Sequence, residues 1–113
     1  MFFHYRQNNS GGRFVIDENV DVHVIIEAND ADEANDRAER IGLYFDGCNE
    51  DEYGWTRDCP CCGSRWSRAW SDGDDTPSIY WTPLTGELTT ERTDATDVVI
   101  HYKDGTILYG SSD

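Results

Sequence analysis

The chain has 113 residues, with 23 Asp and Glu against nine Lys and Arg, and a net charge of −14. This length makes one domain, 1–113, with a modest core that a metal or a partner subunit would help to stabilise. The charge excludes nucleic acid as a direct partner, because backbone phosphates would be repelled. It fits a highly solvated surface, and equally a surface that imitates DNA phosphates or steers a basic protein.

No apolar run approaches the roughly 20 residues that span a bilayer. MFFHYRQ is too short and too polar for a signal peptide. No membrane partner is expected, and the protein is expected to be soluble and intracellular. Thiols stay reduced there, so the four cysteines read as metal ligands or thiols before disulfides.

Phe2 to Arg6 alternates weakly and is rich in aromatics, which predicts a first strand. Asn8 to Gly12 is a turn by its Asn, Ser and Gly content. Val20 to Ala28 places Val20, Val22, Val24 and Ile26 on one face, a second strand. Asp30 then caps a helix, with Glu33 three residues on as in a capping box. Ala31, Ala34, Ala38 and Ile41 form one apolar stripe, and Gly42 closes the helix.

Leu43 to Asp58 reads as a loop, or as a short strand followed by a loop. SRWSRAW reads as a strand with Trp66, Arg68 and Trp70 on one alternating face. SIYWT reads as a short strand. VVIHYKDGTILYG reads as a hairpin with Asp104-Gly105 in a type I′ connection. The order ββα followed by further strands gives an α+β fold: a single, mainly antiparallel sheet with one helix packed on it and a cysteine-containing loop.

Cys59-Pro60-Cys61-Cys62-Gly63 contains the spacing of one zinc knuckle, two thiolates at i and i+3 followed by Gly. The second knuckle of a ribbon is missing, so Cys48 is the expected third ligand beside Cys59 and Cys62. Cys61, a His, a carboxylate or a thiolate from a second copy of the protein stands fourth, the last making a homo-oligomer. A structural zinc is one reading and buried thiols are the other. The deaminase order is absent, because the Pro lies between the cysteines and the upstream His-x-Glu is missing.

Two segments concentrate anion-friendly groups. Arg6, Asn8, Asn9, Ser10 and Gly11 form a small-residue turn whose N–H groups can face an anion; a plain hairpin turn is the alternative. Arg65, Trp66, Arg68 and Trp70 interleave guanidinium with indole, so that Arg could meet phosphate and Trp stack on a base; the alternative is core tryptophans and arginines that answer nearby acids. His4, His23 and His101 are isolated in sequence and read as sheet residues. No nucleophile–base order asks for an enzyme.

FFHYRQNNSGG, IGLYFDG and DCPCCGSRW together resemble a family of small tailed-phage proteins that has no assigned activity. The likeness covers Phe2 to Trp66. It implies an accessory protein in the cytoplasm of an infected host cell, a setting in which counter-defence is common. The expected function is then non-enzymatic binding or sequestration of a small anionic, nucleotide-like signal. The rivals are an acidic inhibitor of a host protein, of DNA-mimic type, and a zinc-stapled structural or assembly protein.

Overall fold

The computed structural model describes residues 1–8, 12, 14–50, 52–58, 63–70 and 72–112. In order along the sequence the elements are β1 (Phe2–Arg6), β2 (His23–Glu27), α1 (Ala31–Arg40), β3 (Ser78–Ile79), β4 (Thr82–Pro83), β5 (Val98–His101) and β6 (Ile107–Gly110). Four strands form a sheet in the order β1-β2-β5-β6, and β3 pairs with β4 apart from it. The fold is α+β, with one helix on a mainly antiparallel sheet.

The central pair differs from the antiparallel rule. β1 and β2 run antiparallel, as do β5 and β6, but β2 and β5 run parallel. Everything between Ala28 and Asp97 acts as one long crossover, which returns the backbone beside β2 in the same direction. The sequence of the inner strands fits that position. HVIIE and VVIH are nearly continuous apolar runs with almost every residue buried, as expected of strands covered on both faces.

Two clusters fill the two faces. Phe3, Tyr5, Val24 and Ile26 meet Ala34, Ala38, Leu43 and Trp66 on the helix side. Ile25, Val98 and Ile100 meet Phe2, Ile79, Leu84 and Leu88 on the other. The period-2 alternation of β1 and β2 therefore sorts side chains between two covered faces rather than between core and solvent.

The helix forms as its sequence dictates. Asp30 is extended and its carboxylate accepts the Glu33 N–H at 2.8 Å. Glu33 reaches back one residue beyond the cap, to the N–H and side-chain amide of Asn29. At the other end Gly42 takes φ +111°, Leu43 N–H bonds Ala38 C=O at 3.0 Å, and Gly42 N–H bonds Glu39 C=O at 3.3 Å. Those two bonds are a Schellman cap, and its apolar contact joins Leu43 to the Ala38 cluster.

Three expected elements come out differently. The hairpin at Tyr102 to Thr106 is a three-residue loop: Gly105 N–H bonds Tyr102 C=O, Tyr102 N–H bonds Thr106 C=O, and only Gly105 has positive φ. That is a type I turn with a glycine bulge, not type I′. SIYWT is not one strand but a tight hairpin, Ile79 paired with Thr82 across Tyr80 and Trp81. Gly63 to Trp70 carries no strand; it is held by side chains instead of a ladder.

Candidate functional site

The register of β1 against β2 decides where its backbone points. Ala28 N–H bonds Met1 C=O at 2.8 Å and Gln7 N–H bonds Val22 C=O at 2.7 Å, so the odd-numbered residues face β2. Phe2, His4, Arg6 and Asn8 then aim their N–H and C=O groups at the free edge of the sheet. At one end of that edge Phe2 exchanges two backbone bonds with Asp74, at 2.7 and 2.8 Å; at the other, Asn8 N–H donates to Arg65 C=O at 2.8 Å.

Residues 66–70 and 72–73 thus run alongside residues 3–7, and the longer segment bows outward. Under the bow lies a cavity of about 390 Å³, lined by His4 and Arg6 of β1, Arg68 and Trp70 of the bowed segment, and Tyr80 and Trp81 of the β3–β4 turn. Its size lies within the range of about 300–1,000 Å³ usual for small-molecule sites. A more open depression continues past Trp70 and Asp72 to Asn29 and Asp32 at the start of α1.

One side chain shapes the bow. Asn35 is buried on α1, where its amide bonds both backbone groups of Ala69, at 2.8 and 2.9 Å, and its oxygen also accepts the Tyr5 hydroxyl at 2.8 Å. This clamp fixes Ala69 inward, so Arg68 and Trp70 on either side of it are exposed. Nothing in the helix pattern marks Asn35, since an Asn on an apolar stripe reads as a tolerated polar residue. Its buried position is the missed signal.

Arg68 pairs with Asp46 at 2.8 Å, both half exposed, and lies over the Phe45 ring. Such a surface pair holds for at most about 1 kcal/mol, so an incoming anion can share the guanidinium cheaply. Arg6 makes no ion pair among the described residues. Trp70 is 88% exposed, Tyr80 64% and Trp81 62%, an aromatic group far more open than the core aromatics.

The β3–β4 turn is itself unusual. Tyr80 and Trp81 have φ of +48° and +68°. A two-residue turn of this kind normally carries Asn-Gly, because bulky residues are strained at positive φ. Strain of roughly 1–3 kcal/mol per such residue is tolerated where something else selects the side chain. Here both side chains wall the cavity.

His4, which lines the cavity, meets His23 behind it, a residue far from it in sequence. Their Nε2 and Nδ1 atoms lie 2.8 Å apart, the rings stack at 5.0 Å, and Tyr80 sits edge-on to His4. Burial pushes the His4 imidazole down to about 4, with the neighbouring His23 and Arg6 adding to the effect. Burial likewise lowers His23, against the pull of Asp97. At neutral pH both rings are neutral, and one donates its N–H to the bare ring nitrogen of the other. The β1–β2 register brings them together, by the Arg6–His23 pairing.

The expected binding residues separate into three groups. Arg6, Arg68 and Trp70 line the cavity. Arg65 and Trp66 do not: Trp66 is 1% exposed in the helix-side core, with no face left for stacking. Arg65 is 8% exposed, and its guanidinium bonds Gln7 Oε1 at 2.9 Å and the Tyr44 hydroxyl at 3.1 Å. Its backbone N–H donates to the buried carboxylate of Asp58 at 2.6 Å, which also accepts the Tyr44 hydroxyl and lies 3.6 Å from the guanidinium Nε. These are the core tryptophan and the acid-answering arginine of the alternative reading. Asn8 ties the end of β1 to Arg65 rather than lining the cavity.

Asn9, Ser10, Gly11, Cys59 and Cys62 lie outside the described residues. Cys48 is half buried, and its N–H bonds the Ser64 hydroxyl at 3.3 Å, which ties its loop to the residue two past Cys62. Among the described residues no three His, Cys, Asp or Glu side chains gather as a metal site. No helix among them is long and apolar enough to cross a membrane.

Chemically, the cavity offers two guanidinium groups, three exposed aromatic faces, the neutral imidazole of His4 and the rim acids Asp72 and Asp74. Guanidinium suits an anion, the aromatic faces suit a flat ring, and the carboxylates accept from hydroxyl or amino groups. No curated protein and no solved structure matches the sequence. Over residues 1–113 the chain belongs to the family described as Domain of unknown function (DUF7296).

Proposed function

We propose that this protein binds a small anionic, nucleotide-like ligand without transforming it. The observation that carries the reading is the meeting of Arg6 and Arg68 with Trp70, Tyr80 and Trp81 around one cavity. Arg6 and Arg68 take the phosphate, and Trp70 or Trp81 stacks the base. Arg65 and Trp66 leave the ligand set and become the support behind it. The net charge of −14 favours a compact ligand held at the two arginines over a polyanion.

The resemblance to tailed-phage proteins supplies the setting. Sequestering a nucleotide signal in the cytoplasm of an infected cell would be a counter-defence activity. A structural zinc at Cys48, Cys59 and Cys62 belongs to the same proposal, as the staple of the loop that flanks Arg65. Zinc near one equivalent per protein molecule after purification under reducing conditions supports the staple, and less than about half an equivalent counts against it.

Thermal shift against a panel of cyclic and ADP-ribose-type nucleotides tests the ligand. The expected result is a shift with at least one nucleotide that disappears in Arg68→Ala. No shift with any member of the panel contradicts the proposal.

A further inference from the structure

The cavity has a feature that the charged and aromatic side chains do not explain. The edge of β1 presents, in order, the N–H and C=O of His4 and the N–H and C=O of Arg6. Among the described residues none of these four groups has a hydrogen-bond partner, although the flanking residues Phe2 and Asn8 are both paired on the same side. His4 and Arg6 also line the cavity. Donors and acceptors therefore alternate along one wall of a pocket that also carries aromatic side chains, two arginines and two acids.

Unpaired strand edges usually recruit another strand. Here that occupant is disfavoured. The Phe2–Asp74 pair closes one end and the Asn8–Arg65 bond closes the other, so an extended peptide cannot run on past either end. What fits between the closures is short, flat and able to present a donor beside an acceptor. The guanidinium groups of Arg6 and Arg68 beside that edge favour a ligand that also carries negative charge.

We infer that the free edge of β1 at His4 and Arg6 reads the hydrogen-bonding edge of a nucleobase. The base lies in the plane of the sheet edge, its amino or imino N–H donating to a backbone C=O and its ring nitrogen or carbonyl accepting from a backbone N–H. Trp70 or Trp81 covers its face, and its 5′-phosphate reaches Arg6 and Arg68. The ligand class is a nucleoside 5′-monophosphate or a larger nucleotide containing one. Recognition by the backbone also explains why no Asn or Gln lines the cavity among the described residues. The inference rests on the nucleotide reading above and adds which atoms do the recognising.

The test titrates AMP, GMP, CMP and UMP into the full-length protein, beside ribose 5-phosphate and N1-methyladenosine monophosphate. Backbone amide resonances are followed by NMR. The expected result is that at least one nucleotide moves the His4 and Arg6 amide protons downfield, and that ribose 5-phosphate, which lacks both the edge hydrogen bonds and the stacked base, binds about tenfold or more weaker. For an adenine ligand, N1-methylation has the same consequence.

His4→Pro and His4→Ala both remove the imidazole, but only His4→Pro also removes the outward N–H, from an edge strand where proline is tolerated. Binding about tenfold weaker in His4→Pro than in His4→Ala supports the inference. A nucleotide that binds with the His4 and Arg6 amides unmoved, or ribose 5-phosphate binding as tightly as the nucleotides, overturns the edge reading and leaves nucleotide-sized anion binding standing. Failure of every nucleotide to bind overturns both. The NMR readout on the unaltered protein decides the matter if His4→Pro does not fold.

Discussion

Arg65-Trp66 and Arg68-Ala69-Trp70 are neighbours in sequence with nearly the same composition, and they have opposite fates. The first pair is inside: Trp66 packs on the helix-side core, and Arg65 bonds Gln7 and Tyr44 beside the carboxylate of Asp58. The second is outside, with Trp70 at 88% exposure and Arg68 half exposed beside Asp46. The difference is made by what holds the backbone. Asn8 and Asp58 fix Arg65 at the end of β1, and Asn35 fixes Ala69, so the segment between them bows. Residue type alone does not assign a role to an Arg–Trp pair; the neighbouring clamps do.

The largest expected effect breaks the inner pair. Trp66→Ala empties a fully buried site and should cost about 3–5 kcal/mol, read from urea unfolding. Trp70→Ala should cost under about 0.5 kcal/mol in the same measurement, since it removes an exposed side chain. It should instead weaken ligand binding, by about 1–3 kcal/mol if it is the stacking face. Equal stability losses in the two variants would erase the distinction between the pairs. Asp58→Ala belongs with Trp66, because it strips Arg65 and the Tyr44 hydroxyl of their buried partner, at about 3–5 kcal/mol.

Asn35→Ala tests the clamp between the two regions. It leaves both backbone groups of Ala69 and the Tyr5 hydroxyl without their partner, for about 2–3 kcal/mol. It should also weaken binding through Arg68 and Trp70 without touching the ligand. Binding unchanged in a folded Asn35→Ala protein would mean that the bow holds its shape unaided.

Replacing Tyr80-Trp81 by Asn-Gly relieves two positive-φ aromatics and suits the two-residue turn. Stability should rise by about 1–3 kcal/mol, while ligand affinity falls. A gain in stability with no loss in binding would remove this turn from the site.

The smallest effect concerns pH. His4 is held down to about 4 when folded, and burial lowers His23 and His101 as well. The unfolded protein takes up these protons near pH 6.5, where the folded protein does not. Their contribution to stability is therefore complete above pH 6.5 and is lost progressively as pH falls toward 4. The urea midpoint should fall between pH 7 and pH 5, and less steeply in His4→Phe. A midpoint that rises on acidification would contradict the neutral, buried pair.

Much of the fold was legible from local pattern. The strand Phe2–Arg6 and the helix with its Asp30 cap and Gly42 close are written in alternation, stripe and capping chemistry, and the structure follows them. The parallel β2–β5 pair was not, because long-range order leaves only a faint trace in the apolar runs. Of the site, the arginines and tryptophans were visible as types, but which two face the cavity was not. That choice depends on Asn35, whose role appears only once α1 packs against the bowed segment. Tyr80-Trp81 was unreadable as a turn, since turn chemistry calls for small residues at positive φ. The His4–His23 pair depended on strand register, which no spacing in sequence reveals.

The most direct measurement is calorimetric titration of a nucleoside monophosphate, or of the best nucleotide from the thermal-shift panel, into the wild-type protein and the Arg6→Ala/Arg68→Ala variant. Saturable binding to the wild type, weakened at least about a hundredfold in the variant at unchanged urea midpoint, is the expected result, given about 1.5–3 kcal/mol for each charge-assisted bond. No binding to the wild type, or equal binding to both, would contradict the assignment of this cavity to a nucleotide-like anion.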